Sequence, residues 1–433
     1  MSDQTGGGGF VTNRRRLLAG LAGSAAAAAA LKPASATQSP NTPVAAAPQS
    51  DRAREAQAFF GPHQSGIVTP RPAAGMVVAF DTLAQSPEEV ERLLRTLTER
   101  FRFLMAGGPV PELDRKLPPA DSGILGPVIA PDNLTLTLSL GHAFFADRPW
   151  LASLAPRCLQ RMTKFPNDAL VPELCHGDLS IQICANTPDA TIHALRDILK
   201  SLPDLLVIRW KQEGSVPILA PKADGATESA RNFLGFRDGS ANPDSRDDDQ
   251  MNRVVWVGER SEEPAWARGG TYQAVRIIRN FVERWDRTPL GEQEAIIGRR
   301  KASGAPLGSD GTEAEVPDYR KDPDGALTPM DAHIRLANPR RAETEGSLIL
   351  RRPFNYSNGV TRNGQLDQGL LFIAYQADLD RGFIAVQRRL DGEPLEEYIK
   401  PVGGGYFFTL PGVRDEADHL GRSLLQAASD LKA

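Results

Sequence analysis

With 433 residues, 41% hydrophobic and 24% charged, the chain has the composition of an ordinary globular protein with material for one or two large cores. Its formal charge of −4 argues against a general nucleic-acid surface, which needs a basic excess to neutralise phosphates. The three cysteines, Cys158, Cys175 and Cys184, are too few for a disulfide scaffold and form no CxxC pair for structural zinc.

At the amino end, Asn13-Arg14-Arg15-Arg16-Leu17-Leu18 precedes an uncharged Leu/Ala/Gly stretch to Leu31 and then the small-residue run Ala34-Ser35-Ala36. Residues 1–36 therefore read as a cleaved export signal that resembles the twin-arginine type, and a periplasmic or otherwise exported product is expected. The apolar stretch is short and weakly hydrophobic for a permanent membrane span. Cleavage would remove Asp3 together with Arg14, Arg15, Arg16 and Lys32, leaving a more acidic mature chain. Residues 37–57, rich in Pro, Ala, Ser, Thr and Gln, read as a flexible linker.

The first strand is expected over 75–81, followed by a helix starting near Ser86-Pro87-Glu88-Glu89, where a serine cap, a first-turn proline and two acids suit a helix amino end. Leu93, Leu94 and Leu97 recur on one face of that helix. Strict alternation in Leu134-Thr135-Leu136-Thr137-Leu138-Ser139-Leu140 predicts a half-buried strand. A strand around Ile181, a helix over 190–200 and a strand over 205–210 follow. Cys184 lies in the apolar run around Ile181 and is expected to be a buried thiol, whereas Cys175 is open to either a free or a bridged state.

The pattern breaks at Lys222-Ala223-Asp224-Gly225, dividing the chain into domains over 58–225 and 226–433. Acidic Asp244, Asp247, Asp248 and Asp249 lack an EF-hand spacing and read as a solvated loop. A second series then echoes the first: a strand over 271–278, a helix from 280–287, a strand over 369–376, a helix near 382–389 and a strand over 406–410. Residues 303–328, polar and rich in Gly and Pro, read as an irregular connection. Val402-Gly403-Gly404-Gly405 has neither a phosphate-loop nor a dinucleotide pattern and reads as a turn.

Three motifs carry chemistry. Asn232-Phe233-Leu234-Gly235-Phe236-Arg237-Asp238-Gly239 brackets one carboxylate with two glycines, which take conformations closed to other residues and let a flat ligand approach. Alone it reads as an ordinary turn. Further on, Asp331-Ala332-His333-Ile334-Arg335-Leu336-Ala337-Asn338-Pro339-Arg340 supplies a histidine, and Ser347-Leu348-Ile349-Leu350-Arg351-Arg352-Pro353-Phe354-Asn355-Tyr356 an arginine pair. Together and in this order, the motifs closely resemble the dye-decolourising (DyP-type) peroxidases, a family of haem enzymes. The resemblance runs from about Phe59 to the C-terminus. Phe60-Gly61-Pro62-His63-Gln64-Ser65-Gly66-Ile67 resembles the family's exported branch linked to bacterial iron uptake, described as deferrochelatase/peroxidase.

The resemblance implies an α+β fold of duplicated ferredoxin-like domains whose antiparallel sheets meet face to face, a dimeric α/β-barrel-like arrangement. It also implies a homo-oligomer and one haem b per chain, held mostly by the C-terminal half, with residues 303–328 at the haem edge. His333 becomes the axial iron ligand, and Asp238 and Arg351, not Arg352, the catalytic pair, Arg351 also facing the cofactor. Asn338, Pro339 and Arg340 are assigned to the haem propionates, and Gly239, Ser240 and Ala241 to the backbone approaching the distal side. Arg335 and Arg237 are weaker propionate candidates, structural pairing being as good a reading. A histidine ligand needs an acceptor for its second ring nitrogen, and Asp378 is the candidate. His63, His142, His176, His193 and His419 show no ligand pattern.

The residue types suit this chemistry. Cleaving hydrogen peroxide requires a proton to move from one oxygen to the other, which a single carboxylate can shuttle, and a fixed guanidinium can stabilise the charge on the departing oxygen. Organic donors too large for the pocket would need relay residues, for which Trp256, Trp266, Trp285, Tyr375 and Tyr406 are candidates, each also a common packing residue. The expected partners are hydrogen peroxide, an organic electron donor or haem itself, and components of an iron-uptake system. The rival reading is a non-catalytic haem carrier, which needs the ligand and propionate contacts but neither Asp238 nor Arg351.

Overall fold

Strand β1 (Ala74–Thr82) is buried along nearly its whole length and leads into helix α1 (Pro87–Ala106). The computed structural model describes residues 51–219 and 228–431; the expected export signal over 1–36, residues 37–50 of the expected linker and the expected boundary at 222–225 lie outside the described residues. The α1 start is as expected. Ser86 caps the Glu89 N–H while the Glu89 carboxylate reaches back to the Ser86 N–H, and Val90, Leu93, Leu94, Leu97, Phe101 and Leu104 form the buried stripe. Strands β2 (Thr135–Gly141) and β3 (Leu179–Ala185), helix α2 (Pro188–Ser201) and strand β4 (Leu206–Ser215) complete the first half.

The second half contains helix α3 (Asp248–Val254), strand β5 (Thr271–Asn280), helices α4 (Leu290–Ile297) and α5 (His333–Ala337), and strands β6 (Leu350–Arg351), β7 (Phe354–Val360) and β8 (Leu366–Gln376). Helix α6 (Ala385–Leu390), strand β9 (Ile399–Thr409) and helix α7 (Arg422–Asp430) follow. Each half has the same antiparallel order, β4-β1-β3-β2 in the first and β9-β5-β8-β7 in the second. This repetition is the duplicated α+β architecture.

The two sheets also join at both edges. Phe408 of β9 pairs with Leu140 of β2, and Ser215 of β4 pairs with Asn355 of β7, so eight strands close into one ring. The face-to-face contact is thus made across the interior of a continuous sheet. Val77, Trp210, Val275, Ile373 and Phe407 fill it, joined by a polar chain in which Gln273 donates to Tyr375 and the Tyr375 hydroxyl donates to Gln182.

Ring closure explains several departures from the pattern. β2 is buried on both faces, because its leucines pack under α1 in the outer core while Thr137 and Ser139 face the ring and bond to Ser65 C=O and Thr409. Gly403, Gly404 and Gly405 lie within β9, not in a turn before it. A Cβ on Gly404 would stand 2.0 Å from the Val275 C=O, so only glycine permits this approach to β5. Asp247 caps α3, making part of the acidic run helical, and Asp244 pairs with Arg246. Residues 51–57 are not loose: Ala53 and Glu55 carbonyls accept from the Asp132 and Asn133 N–H groups. All three cysteines are free and buried, which leaves Cys175 unbridged. Among the described residues no helix is long and apolar enough to cross a membrane.

Candidate functional site

In the first half α1 and α2 pack directly on the outer face of the sheet. The second half differs. Its helices α5 and α6 stand off the outer face of β5 and β8, and a cavity opens between them, walled by Ile278, Leu370 and Phe372 from the sheet and by Ile334, Val386 and Leu390 from the helices. Asp238, Ser240, Ala241, His333, Asn338, Arg340 and Arg351 all line this one space, although they come from three separate stretches of sequence. Gly239 and Pro339 stand next to the lining without being part of it.

The Asp238 segment is held by its own backbone. Asn232 Oδ1 accepts from the N–H groups of Leu234 and Phe236, and Gly235 turns the chain with φ of 88°, a conformation that strains any residue with a Cβ. Phe236 then packs edge-on to Trp285, whose indole N–H donates to Leu234 C=O. Past this anchor, the Asp238 N–H bonds to Ala230 C=O at 2.9 Å. Its carboxylate, 10% exposed, accepts from Arg351 Nη1 at 2.7 Å.

Arg351 and Arg352 lie on opposite faces of the sheet arm. Arg351 looks into the cavity, whereas Arg352 is buried in the ring interior beside Cys184 and donates to Thr69 C=O. Alternation along the strand explains this separation.

His333 opens α5, and its Nδ1 stands 2.7 Å from Glu393 Oε2, which leaves Nε2 as the other ring nitrogen of a residue lining the cavity. The Glu393 side chain is 3% exposed. Burial alone would lower the His333 pKa, but the carboxylate's charge and its hydrogen bond outweigh burial, and the pKa is raised. Asp378 is therefore not the acceptor. It lies beyond the end of β8, where it accepts from the Arg381 N–H near Cys158. No motif marks Glu393, which follows His333 by 60 residues across three strands and a helix.

Cations dominate one part of the cavity. Arg299, also unforeseen, donates to Gly304 and Glu313 carbonyls and lines the cavity with Arg340 and Arg351; burial, then the Arg340 charge, lowers its pKa. The basic run Arg299-Arg300-Lys301 was the available signal. Arg340 has φ of 56°, and its buried Nε finds no acceptor among the described residues. Arg237 pairs with Glu228 while lining the cavity. Arg335 is a structural residue, bonded to Asp322 at 3.0 Å and set over the Tyr319 ring. Glu313, from the irregular connection over 303–328, accepts from Ser240 Oγ and the Ser229 N–H, so that segment does border the cavity.

These features fit a haem: apolar walls for a flat macrocycle, one imidazole nitrogen for its iron, and an orphaned guanidinium atom with neighbouring arginines for its carboxylates. The five aromatic relay candidates are all buried, from 0% for Tyr375 to 6% for Trp256, so each has a packing role.

Comparison with known proteins agrees. Residues 64–215 match the family model "Dyp-type peroxidase, N-terminal" and residues 229–414 match "Dyp-type peroxidase, C-terminal". The chain is 57% identical over 394 residues to the deferrochelatase of Escherichia coli strain K12, covering 91% of this chain and 92% of that protein. It is 57% identical to the deferrochelatase of Shigella flexneri, covering 91% and 93%. Among solved structures, ferric DtpA from Streptomyces lividans superimposes with a TM-score of 0.77 at 36% identity, over 88% of this chain and 100% of that one. A DyP-type peroxidase from Streptomyces coelicolor gives a TM-score of 0.78 at 36% identity over the same shares.

Proposed function

Because this chain belongs to the Dyp-type peroxidase family, we propose that its cavity holds one haem b and that the protein reduces hydrogen peroxide while oxidising an organic donor, with release of iron from haem as a second activity. The observation that carries the peroxidase reading is the presence in one cavity of His333, backed by Glu393, and the Asp238–Arg351 pair. A carrier would need only the first. Bound haem supplies a redox-active iron to which peroxide can be delivered. Asp238, poorly exposed and oriented by Arg351, takes a proton from one peroxide oxygen and returns it to the other, while the Arg351 guanidinium stabilises the negative charge that builds on the departing oxygen. Arg340, Arg299 and Asn338 would hold the propionates. The deciding experiment is the absorption spectrum of the purified haem-loaded protein before and after one equivalent of hydrogen peroxide: a rapid change reversed by an organic donor supports the enzyme, and an inert spectrum favours the carrier.

Glu393 fixes the ring of His333 and keeps its second nitrogen engaged. Replacing Glu393 with Gln removes the charge and preserves the shape. Haem affinity, measured by titration of the haem-free protein, is expected to fall roughly 10-fold, at the lower end of what partners behind a metal ligand usually contribute.

For residues 1–36 we propose twin-arginine export to the periplasm, supported by Arg14 and Arg15 before the weakly apolar stretch. Changing both to Lys should keep the full-length precursor in the cytoplasm in a fractionation experiment. Normal delivery of the double variant would reject the assignment.

A further inference from the structure

β6 ends the strand order, and its Arg351 pairs with Ala374 of β8. The next N–H, that of Arg352, donates to Ile373 C=O, so the main-chain groups of Arg351 point the other way, off the margin of the sheet. There they meet one side chain. Asn242 Oδ1 accepts from the Arg351 N–H at 2.8 Å, and Asn242 Nδ2 donates to the Arg351 C=O at 2.9 Å. A carboxamide can supply both bonds, as one residue of an adjacent strand would; a carboxylate lacks the donor and an apolar side chain lacks both.

Asn242 belongs to the same segment as Asp238, and its own N–H bonds back to Gly239 C=O at 3.0 Å. The segment and β6 are consequently tied twice, by the Asp238–Arg351 side-chain contact at 2.7 Å and by the amide clamp. The first tie alone fixes the two charged ends to each other and leaves the Arg351 backbone free to shift. The second removes that freedom. We propose that Asn242 is a positioning residue for peroxide cleavage, setting the distance between the Asp238 carboxylate and the Arg351 guanidinium by holding the Arg351 main chain; the proposal rests on the reading of those two residues as the catalytic pair.

The test uses the haem-loaded full-length protein with Asn242→Ala and Asn242→Asp. Exchange of the Arg351 amide hydrogen, followed by mass spectrometry of fragments spanning β6, reads the clamp without reference to catalysis. It should quicken about tenfold in Asn242→Ala, which deletes the acceptor, and stay close to the parent in Asn242→Asp, which keeps it. The rate of the peroxide-induced spectral change should fall about tenfold in Asn242→Ala, a small displacement of reacting groups being enough for that, and by less in Asn242→Asp. If positioning is the cause, adding Asp238→Asn to Asn242→Ala costs much less than the product of the two single effects. A loss confined to overall stability would instead speed exchange throughout the chain and leave the two effects multiplicative, overturning the proposal. So would parental exchange and rate in Asn242→Ala. Should Asn242→Ala not fold, Asn242→Asp with and without Asp238→Asn supplies the same comparison. A parental rate for Asp238→Asn alone would defeat the reading of Asp238 as a catalytic residue, on which the proposal rests, and the clamp would then be visible only in the exchange data.

Discussion

Substituting His333 with Ala is expected to weaken haem binding by roughly 100-fold or more, exceeding the effect of altering a partner behind the ligand, and to change the ferric spectrum of whatever haem remains. Among the described residues, His333 is the only histidine lining the cavity, and Glu393 holds it from behind at 2.7 Å. Arg299, Arg340 and the apolar walls persist in the variant, so some haem should still enter. Haem content after desalting, together with the Soret and charge-transfer bands, measures both parts of the expectation. Parental haem content with a parental spectrum would remove His333 from the ligand position.

The second large effect concerns the pair on β6 and the 232–239 segment. Asp238→Asn with Arg351→Leu should preserve most haem binding yet slow the peroxide-induced spectral change, each residue contributing about 10²-fold by comparison with general bases and charge-stabilising groups elsewhere. Arg351 donates directly to Asp238, so the single variants are not independent: removing Arg351 leaves a poorly exposed carboxylate without its cation, and removing the Asp238 charge frees the guanidinium to turn. Stopped-flow spectra of both singles and the double resolve the coupling. A haem-loaded double variant reacting at the parental rate would move the protein to the carrier reading.

Local sequence signals located most elements, because they are written in short-range chemistry. The Ser86 cap, the α1 leucines and the alternation in β2 each needed no knowledge of the rest of the chain. What escaped was set by long-range closure. Whether both faces of β2 are buried depends on β9 arriving more than 250 residues later, and pairing of that same strand with β5 turns the glycines at 403–405 from an apparent turn into a strand interior. The site divides in the same way. Asp238, His333 and Arg351 were legible through family motifs, and the structure brings them to one cavity. Glu393, Arg299 and Asn242 carry no motif, since their roles exist only in contacts across the fold: a carboxylate behind an imidazole, a guanidinium beside Arg340, and an amide on the outer margin of a strand.

The last strand is also the seal of the ring. β9 pairs with β5 on one side and with β2 on the other, and the cavity takes Ile399 and Pro401 from that same strand and Glu393 from just before it. A nascent or prematurely terminated chain that stops short of Ile399 therefore leaves the edges of β2 and β5 bare, a template for adventitious strand addition. It also has no finished chamber for its cofactor. Loading is accordingly expected to follow the completion of synthesis, since one strand near the carboxyl end both covers the sticky edges and closes the chamber.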